Sequence, residues 1–314
     1  MEQQKIKHFM YVPFTGLGLY SGFRGNRFLK NRLIIFKQFV LPSLQQQTSK
    51  NFTLWISWRY EEKFNWIVQD FIEYTDKIKE FKVVHTFSGV CFYDDKYEDS
   101  VARDRLMTAI HGAVGVLLDE IGDSTHVLMT IQPSDDMYCK GFVEHIQKGF
   151  EDNTYLQGIG FEKGYIVDYF TKEVSEYNPK TNPPFYTIKF DRESFTNPLK
   201  HFEFTGIKKA AGKYPIGTPI PSHEYVGLAV NYGVIAERGF MVGCHSENIS
   251  TFYNHPFRGE EVKDIILADF GIENIPPLKL KFSLRKWILR KMPNSIRRKL
   301  RYWWSEKLYN WIRS

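Results

Sequence analysis

Two adjacent carboxylates, Asp135 and Asp136, are the residues of this sequence best placed to do chemistry. They close the run Val127-Leu128-Met129-Thr130-Ile131-Gln132-Pro133-Ser134-Asp135-Asp136, which is apolar and strand-like before it breaks into a turn. In an open α/β sheet, ligands bind in the crevice outside the carboxyl ends of the strands, so charged side chains on such a turn can meet a ligand. Carboxylate oxygens suit a hard divalent cation, which in turn can bridge phosphates. Pro-Ser-Asp-Asp is also ordinary turn chemistry closing a buried strand. The elements around the turn have to decide between the two.

A second candidate is Arg103, with Arg105 beside it, near the start of a helical pattern over 99–118 whose apolar face is Ala102, Leu106, Ala109, Ile110, Ala113, Val116 and Leu117. Cations are unfavourable at a helix N-terminus unless an anion sits beside them. Asp99 or Asp104 can be that anion, and so can a bound diphosphate. Glycines 16, 18, 22 and 25 give the spacing GxGxxxG. That is not the dinucleotide fingerprint, and no short turn leads from it into a helix.

The elements that position these residues alternate. His8–Phe14, Asn51–Ser57 and Lys82–Phe87 read as strands, with amphipathic helices over 31–41 and 64–74 between them. The order β, α, β, α, β predicts a mostly parallel sheet flanked by helices. Strand 126–132 then leads to the acidic turn, and Phe142–Phe150 is a short helix. Beyond residue 155 the pattern changes. Tyr155–Phe161 and Gly164–Tyr169 read as a hairpin, Tyr186–Phe190 as a strand, and the proline-rich stretches at 183–184 and 215–221 as loops. We expect a nucleotide-binding half over 1–150, an acceptor half over 151–275, and a separate tail over 276–314.

The composition is globular, 43% hydrophobic and 25% charged, with 16% aromatic residues. Three cysteines lie far apart and form no CxxC, which argues against a zinc ribbon or a disulfide framework and fits a reducing compartment. The N-terminus has no signal-peptide pattern, and no stretch is apolar enough to span a membrane, so a cytoplasmic protein is expected. Charge is unevenly spread. Residues 279–314 hold twelve Lys or Arg and one acid, Glu306, while the rest holds 30 basic and 35 acidic residues. A mildly acidic body therefore carries a strongly basic tail, and the tail calls for an anionic partner.

Taken together, the segments resemble the rhamnosyltransferase family of bacterial polysaccharide synthesis, which belongs with the glycosyltransferases of GT-A fold. Asn31-Arg32-Leu33-Ile34-Ile35-Phe36 leads to Leu41-Pro42-Ser43-Leu44-Gln45-Gln46-Gln47-Thr48 and Asn51-Phe52-Thr53-Leu54-Trp55, where the family has a helix, "PSL…Q" and a strand like "dFxW". Ala102-Arg103 opens the helix before the acidic turn. Ser134-Asp135-Asp136 is similar to the end of "DSDD", the family's version of the DxD motif. Cys244-His245-Ser246-Glu247-Asn248-Ile249-Ser250 resembles a late "HGxNxS" element. The match covers about 8–255.

The resemblance implies a nucleotide-sugar donor held at Ser134, Asp135 and Asp136 with Arg103 nearby. It also implies Mg²⁺ or Mn²⁺ on Asp135 and Asp136, with His245 completing the metal site. For the base that deprotonates the acceptor hydroxyl, inverting GT-A enzymes use an acid on a segment such as Ser222-His223-Glu224-Tyr225, which implicates Glu224 first and His223 second. Two features depart from the pattern. Pro133 stands where "DSDD" begins, and the second strand ends in Trp55-Ile56-Ser57-Trp58 without an Asp for the base or ribose. A catalytically dead GT-A-like module that binds glycan or scaffolds a synthesis complex is therefore the alternative. No glycine- and basic-rich triphosphate loop supports a nucleotidyltransferase.

In the tail, Leu284, Trp287, Ile288 and Met292 share one helical face and Arg285, Lys286, Arg290 and Lys291 the other. After Pro293, Ile296, Leu300, Trp303, Trp304, Leu308, Trp311 and Ile312 repeat the stripe. Basic residues opposite a Trp-rich face describe a helix lying on an anionic bilayer. A helix packed on the body, or a nucleic-acid contact, would use the same residues. The expected partners are a nucleotide sugar, a glycan or lipid-linked acceptor, and the inner face of the cell membrane. No nucleic acid is expected, because the body is acidic.

Overall fold

The computed structural model describes residues 5–15, 25–87, 112–179, 183, 185–196, 226–245, 248, 261–262, 265–273 and 277–281. Arg103, His223, Glu224, the glycines before Gly25 and the tail beyond Lys281 lie outside the described residues.

The molecule is built on one mixed sheet. Its first half is β1 (Ile6–Pro13), β2 (Thr53–Trp58), β3 (Lys82–Phe87) and β4 (His126–Ile131), all parallel, in the spatial order β3-β2-β1-β4. Beyond β4 the direction changes. β5 (Met137–Tyr138) is short, and β6 (Gly158–Asp168), β7 (Val174–Tyr177), β8 (Tyr186–Asp191), β9 (Tyr232–Cys244) and β10 (Glu261–Val262) complete the sheet. β8 lies antiparallel to both β4 and β6, and β9 runs parallel to β6. The expected α/β class with a mixed sheet flanked by helices is what forms, with the parallel pairings concentrated in the first half. β4 is the switch strand, parallel to β1 on one side and antiparallel to β8 on the other.

Both faces of the sheet are covered, which explains the nearly continuous apolar strands. Met10, Val12, Leu54, Ile56 and Leu128 point to one face. There they meet α1 (Asn26–Ile35), α3 (Trp66–Thr75) and α5 (Phe142–Asp152) through Leu29, Leu33, Phe71, Ile146 and their neighbours. Phe9, Tyr11, Trp55, Val127 and Met129 point to the other face. They pack on α4 (112–121) through Ala113, Val114, Leu117 and Ile121. Each fully buried large apolar side chain stabilises the fold by roughly 1.5–3 kcal/mol.

Local signals account for the helix ends. The Asn65 side chain accepts the Ile67 N–H at 3.0 Å and so caps α3. α1 runs unbroken through a π-helical turn (Phe36–Val40) into α2 (Leu41–Gln45). Pro42 has no N–H to give to the turn before it, and the wider turn, with Leu41 N–H on the Phe36 carbonyl, carries the chain past it. No described helix is long and apolar enough to cross a membrane.

One sequence expectation needs correction. Tyr155–Phe161 and Gly164–Tyr169 are not two arms of a hairpin, because residues 158–168 form a single strand. Glu162-Lys163-Gly164 has turn composition, but here it makes an irregularity in the pairing with β9. Irregularities of this kind bend a strand without ending it.

Candidate functional site

Three strand ends converge on the acidic turn. β6 and β9 are in parallel register with Asp168 opposite Cys244, so the next residues, Tyr169 and His245, emerge side by side. The Tyr169 N–H donates to the Cys244 carbonyl at 3.0 Å, and the Tyr169 and His245 rings stack with centroids 6.2 Å apart. β5 pairs with Phe240 and Met241 of β9, which ties down the far side of the turn that leaves β4. Residues 132–136 are thus suspended between β4 and β9, at the carboxyl ends of β4, β6 and β9.

The backbone of the turn is clasped at several points. The Gln132 amide donates to the carbonyls of Pro133 and Asp136, both at 2.8 Å. The Tyr169 hydroxyl donates to the Asp135 carbonyl at 2.6 Å, and the Tyr169 ring stacks on Phe39 of the π-helical turn. Gly243 passes beneath. A Cβ there would collide with the Tyr169 ring and the Asp135 carbonyl oxygen, so the close approach requires glycine. Ser134 is buried within the turn.

The two carboxylates have different surroundings. Asp136 Oδ1 accepts the Gly243 N–H at 2.9 Å. Asp135 Oδ2 is ion-paired with Nη1 of Arg32 from α1, accepts from His245 Nε2 at 3.0 Å, and is approached by Asn248 Nδ2 at 3.4 Å. Asn248 also accepts the His245 N–H at 2.9 Å and donates to the Gly243 carbonyl at 2.6 Å, locking the segment after β9. Arg32 is 1% exposed and Asp135 15%, so the guanidinium lies behind the carboxylate and the carboxylate faces outward.

Electrostatics follow from these contacts. Burial alone would raise the Asp135 carboxyl, but the Arg32 guanidinium, helped by His245, holds it below the usual carboxylate range. Asp136 goes the other way. Burial, and then the charge of Asp135 beside it, push it well above that range. The two neighbouring carboxyls are thus pushed in opposite directions, Asp135 toward the ionised form by Arg32 and Asp136 toward the protonated form by burial and by Asp135. Burial also raises Tyr169, with Asp136 and Asp135 adding to it, which keeps the phenol protonated as a donor.

The expected cation set of Asp135, Asp136 and His245 can be tested on this geometry. The structure brings Asp135 and His245 into contact with Asp136 next in the chain, but not as open ligands. An ionised carboxylate only accepts, so His245 Nε2 carries a hydrogen toward Asp135 and has no lone pair for a metal there. Asp135 Oδ2 already meets three donors, one of them cationic. Among the described residues, no group of three or more His, Cys, Asp or Glu is arranged to hold a metal ion. As arranged, the residues do not fit a divalent cation.

Sequence reasoning named Ser134, Asp135, Asp136 and His245, and the structure brings these four together. It missed Arg32, Asn248 and Tyr169. A signal for Arg32 was present, since Phe28, Arg32, Ile35 and Phe39 recur at helical spacing and all four are buried. A charge inside an apolar stripe calls for a buried partner. A separate cavity of about 450 Å³, lined by Asn153, Tyr155, Leu156, Asn231, Tyr232 and Val234, lies at the amino ends of β6 and β9. It lies at the opposite end of those strands from the carboxylates.

No protein-family model and no curated protein matches the sequence. Among solved structures, residues 1–349 of TarS from S. aureus align at 15% identity and a TM-score of 0.37, covering 76% of this chain and 60% of that one. HddC from Yersinia pseudotuberculosis aligns at 12% identity and a TM-score of 0.37, covering 76% of this chain and 93% of its own. A protein described as a nucleotide-diphospho-sugar transferase, from Desulfovibrio desulfuricans G20, aligns at 14% identity and a TM-score of 0.34, covering 76% and 80%. At these values the alignments carry no weight for function, and the chain spans under two thirds of the TarS fragment.

Proposed function

We propose that the chain is a glycosyltransferase that takes a nucleotide-sugar donor at the Ser134-Asp135-Asp136 turn and passes the sugar to a glycan or lipid-linked acceptor. The observation that carries the reading is the position of the turn. Two carboxyls sit at the carboxyl end of the switch strand β4, backed by Arg32 and His245. In open α/β sheets that is where ligands bind. The order of the rhamnosyltransferase-like segments, from Asn31 to Asn248, supports a place in polysaccharide or glycolipid synthesis.

In the proposed reaction, the bond between the anomeric carbon and the diphosphate oxygen breaks and a bond to the acceptor oxygen forms. Asp135, ionised and facing outward, accepts hydrogen bonds from donor hydroxyls. Asp136, pushed up by burial and by Asp135, can donate one in its protonated form. Arg103 is assigned to neutralise the charge that develops on the leaving diphosphate. Glu224, with His223 second, takes the acceptor proton. The basic, Trp-rich tail holds the enzyme on the anionic inner face of the cell membrane, raising the local concentration of a lipid-linked acceptor.

A non-catalytic GT-A-like module for glycan binding or scaffolding is the second reading. Pro133, which replaces an acid at the start of the motif, favours it. A thermal-shift panel of nucleoside diphosphates and nucleotide sugars separates the two, because a ligand that binds only the native state raises the melting temperature by mass action. A shift with one base, and consumption of its nucleotide sugar, is the expected result. No shift with any base moves the assignment to the non-catalytic module.

A further inference from the structure

We infer that the Arg32 guanidinium takes, at Asp135, the electrostatic place a divalent cation would hold, so that donor binding by this chain needs no Mg²⁺ or Mn²⁺. The inference rests on the donor-site reading above and adds the identity of the site's positive charge.

Three independent features carry it. The first is the helix face: Arg32 occupies a buried position between Phe28 and Ile35 of α1, 5.4 Å from the Phe28 ring, and aims at a carboxylate about a hundred residues away in sequence. A guanidinium keeps its proton at any working pH and is weakly hydrated, so it is the side chain suited to a permanent buried charge. The second is the donor set. Asp135 Oδ2 is met by Arg32 Nη1, His245 Nε2 and Asn248 Nδ2, and Asp136 turns its Oδ1 to the Gly243 N–H. Hydrogen-bond donors thus already occupy one oxygen of each carboxylate. The third is in the sequence. Residues 132–134 are Gln, Pro and Ser, so the turn supplies no carboxylate besides Asp135 and Asp136. A hard dication favours several anionic oxygens, and here the charge of Asp135 is already matched by the buried Arg32 guanidinium.

Arg32 is too deeply buried to touch the donor. It is a positioning residue, which keeps Asp135 ionised and fixed in direction.

The test uses the full-length protein stripped with EDTA. Manganese chloride alone is titrated in while the electron paramagnetic resonance of free Mn²⁺ is recorded. The nucleoside diphosphate giving the largest thermal shift is then titrated calorimetrically in EDTA and again in Mn²⁺. The expected result is no Mn²⁺ uptake below about 1 mM and nucleotide affinities within about twofold of each other. Uptake of Mn²⁺ at the site, or nucleotide affinity that rises tenfold or more with Mn²⁺, overturns the inference and leaves the donor-site reading standing. Absence of nucleotide binding in both conditions overturns both. Arg32→Gln supplies a second arm. It is expected to bind Mn²⁺ and to make nucleotide binding depend on it, which a merely structural arginine would not do. A folded Arg32→Gln that binds nucleotide equally well in EDTA contradicts the assignment. If that variant fails to fold, the wild-type titrations decide alone.

Discussion

Asp135→Asn changes one atom and removes one charge, and its cost can be worked from the burial of Arg32. The guanidinium is 1% exposed and lies in ion-pair contact with Asp135 Oδ2. Removing the charge of one partner leaves the other buried and uncompensated, which typically costs 3–5 kcal/mol. Asp135 keeps 15% of its side-chain surface, so water reaches its side of the pair and the lower end applies, about 3 kcal/mol. For a body of this size, 1 kcal/mol moves the melting temperature by about 2–4 °C, so a fall of roughly 6–12 °C is expected. The assay is a double-mutant cycle by thermal unfolding with Arg32→Met, Asp135→Asn and the pair. Arg32→Met fills the space without a charge, so the double variant is expected to be more stable than the sum of the singles by at least about 1 kcal/mol. Additive effects would mean that the two side chains do not sense each other, and the description of the site would fail with them.

The other predictions concern protonation and the tail. The folded pKa of Asp136 lies above its unfolded value, so its contribution to stability falls as pH rises above about 4. Asp136→Asn can still accept the Gly243 N–H. It should match or exceed the wild type in melting temperature at pH 7 and show a flatter profile between pH 4 and 7. A loss of more than about 1 kcal/mol at pH 7 would count against a protonated Asp136. His8 is buried against Thr130, and burial pushes its imidazole down to about 3. The unfolded chain therefore binds the extra proton first. Stability is fully present above about pH 6.5 and is lost as pH falls, by about 3 kcal/mol at pH 4. His8→Gln should remove that part of the acid limb in a pH series of denaturant melts, and an unchanged limb would refute the cause. Asn31 exchanges two hydrogen bonds with the Lys281 backbone, at 2.8 and 2.9 Å, so a cut must come after that point. Removing 282–314 should abolish sedimentation with vesicles containing anionic lipid and leave the body's melting temperature unchanged. Retained sedimentation would contradict the tail's role.

How much of this was legible in the sequence varies with the range of the interaction. β1, β2 and β4 were readable because strands buried on both faces are continuous apolar runs, and their ends and those of the half-buried edge strand β3 fall within two residues of expectation. The turn at Ser134-Asp135-Asp136 was readable because a polar break after such a run marks a strand's carboxyl end. β6 was misread because Glu162-Lys163-Gly164 has turn chemistry, and only pairing with β9 makes it an irregularity inside a strand. Arg32 was passed over because a charge on an amphipathic helix is usually solvated, and its partner Asp135 is brought near by the sheet, not by the chain. The metal expectation came from the motif-like residues Asp135, Asp136 and His245 without their surroundings. Their environment, an arginine behind one and a backbone N–H on the other, is tertiary.

The central claim is that the donor nucleotide sits at the carboxyl ends of β4, β6 and β9. Hydrogen–deuterium exchange with and without the best-binding nucleoside diphosphate tests it most directly. Protection is expected in peptides covering 130–138 and 240–248, where the backbone N–H groups of the turn and of the segment after β9 would be shielded. Protection confined to 149–156 and 231–235, around the cavity at the opposite strand ends, would contradict the account.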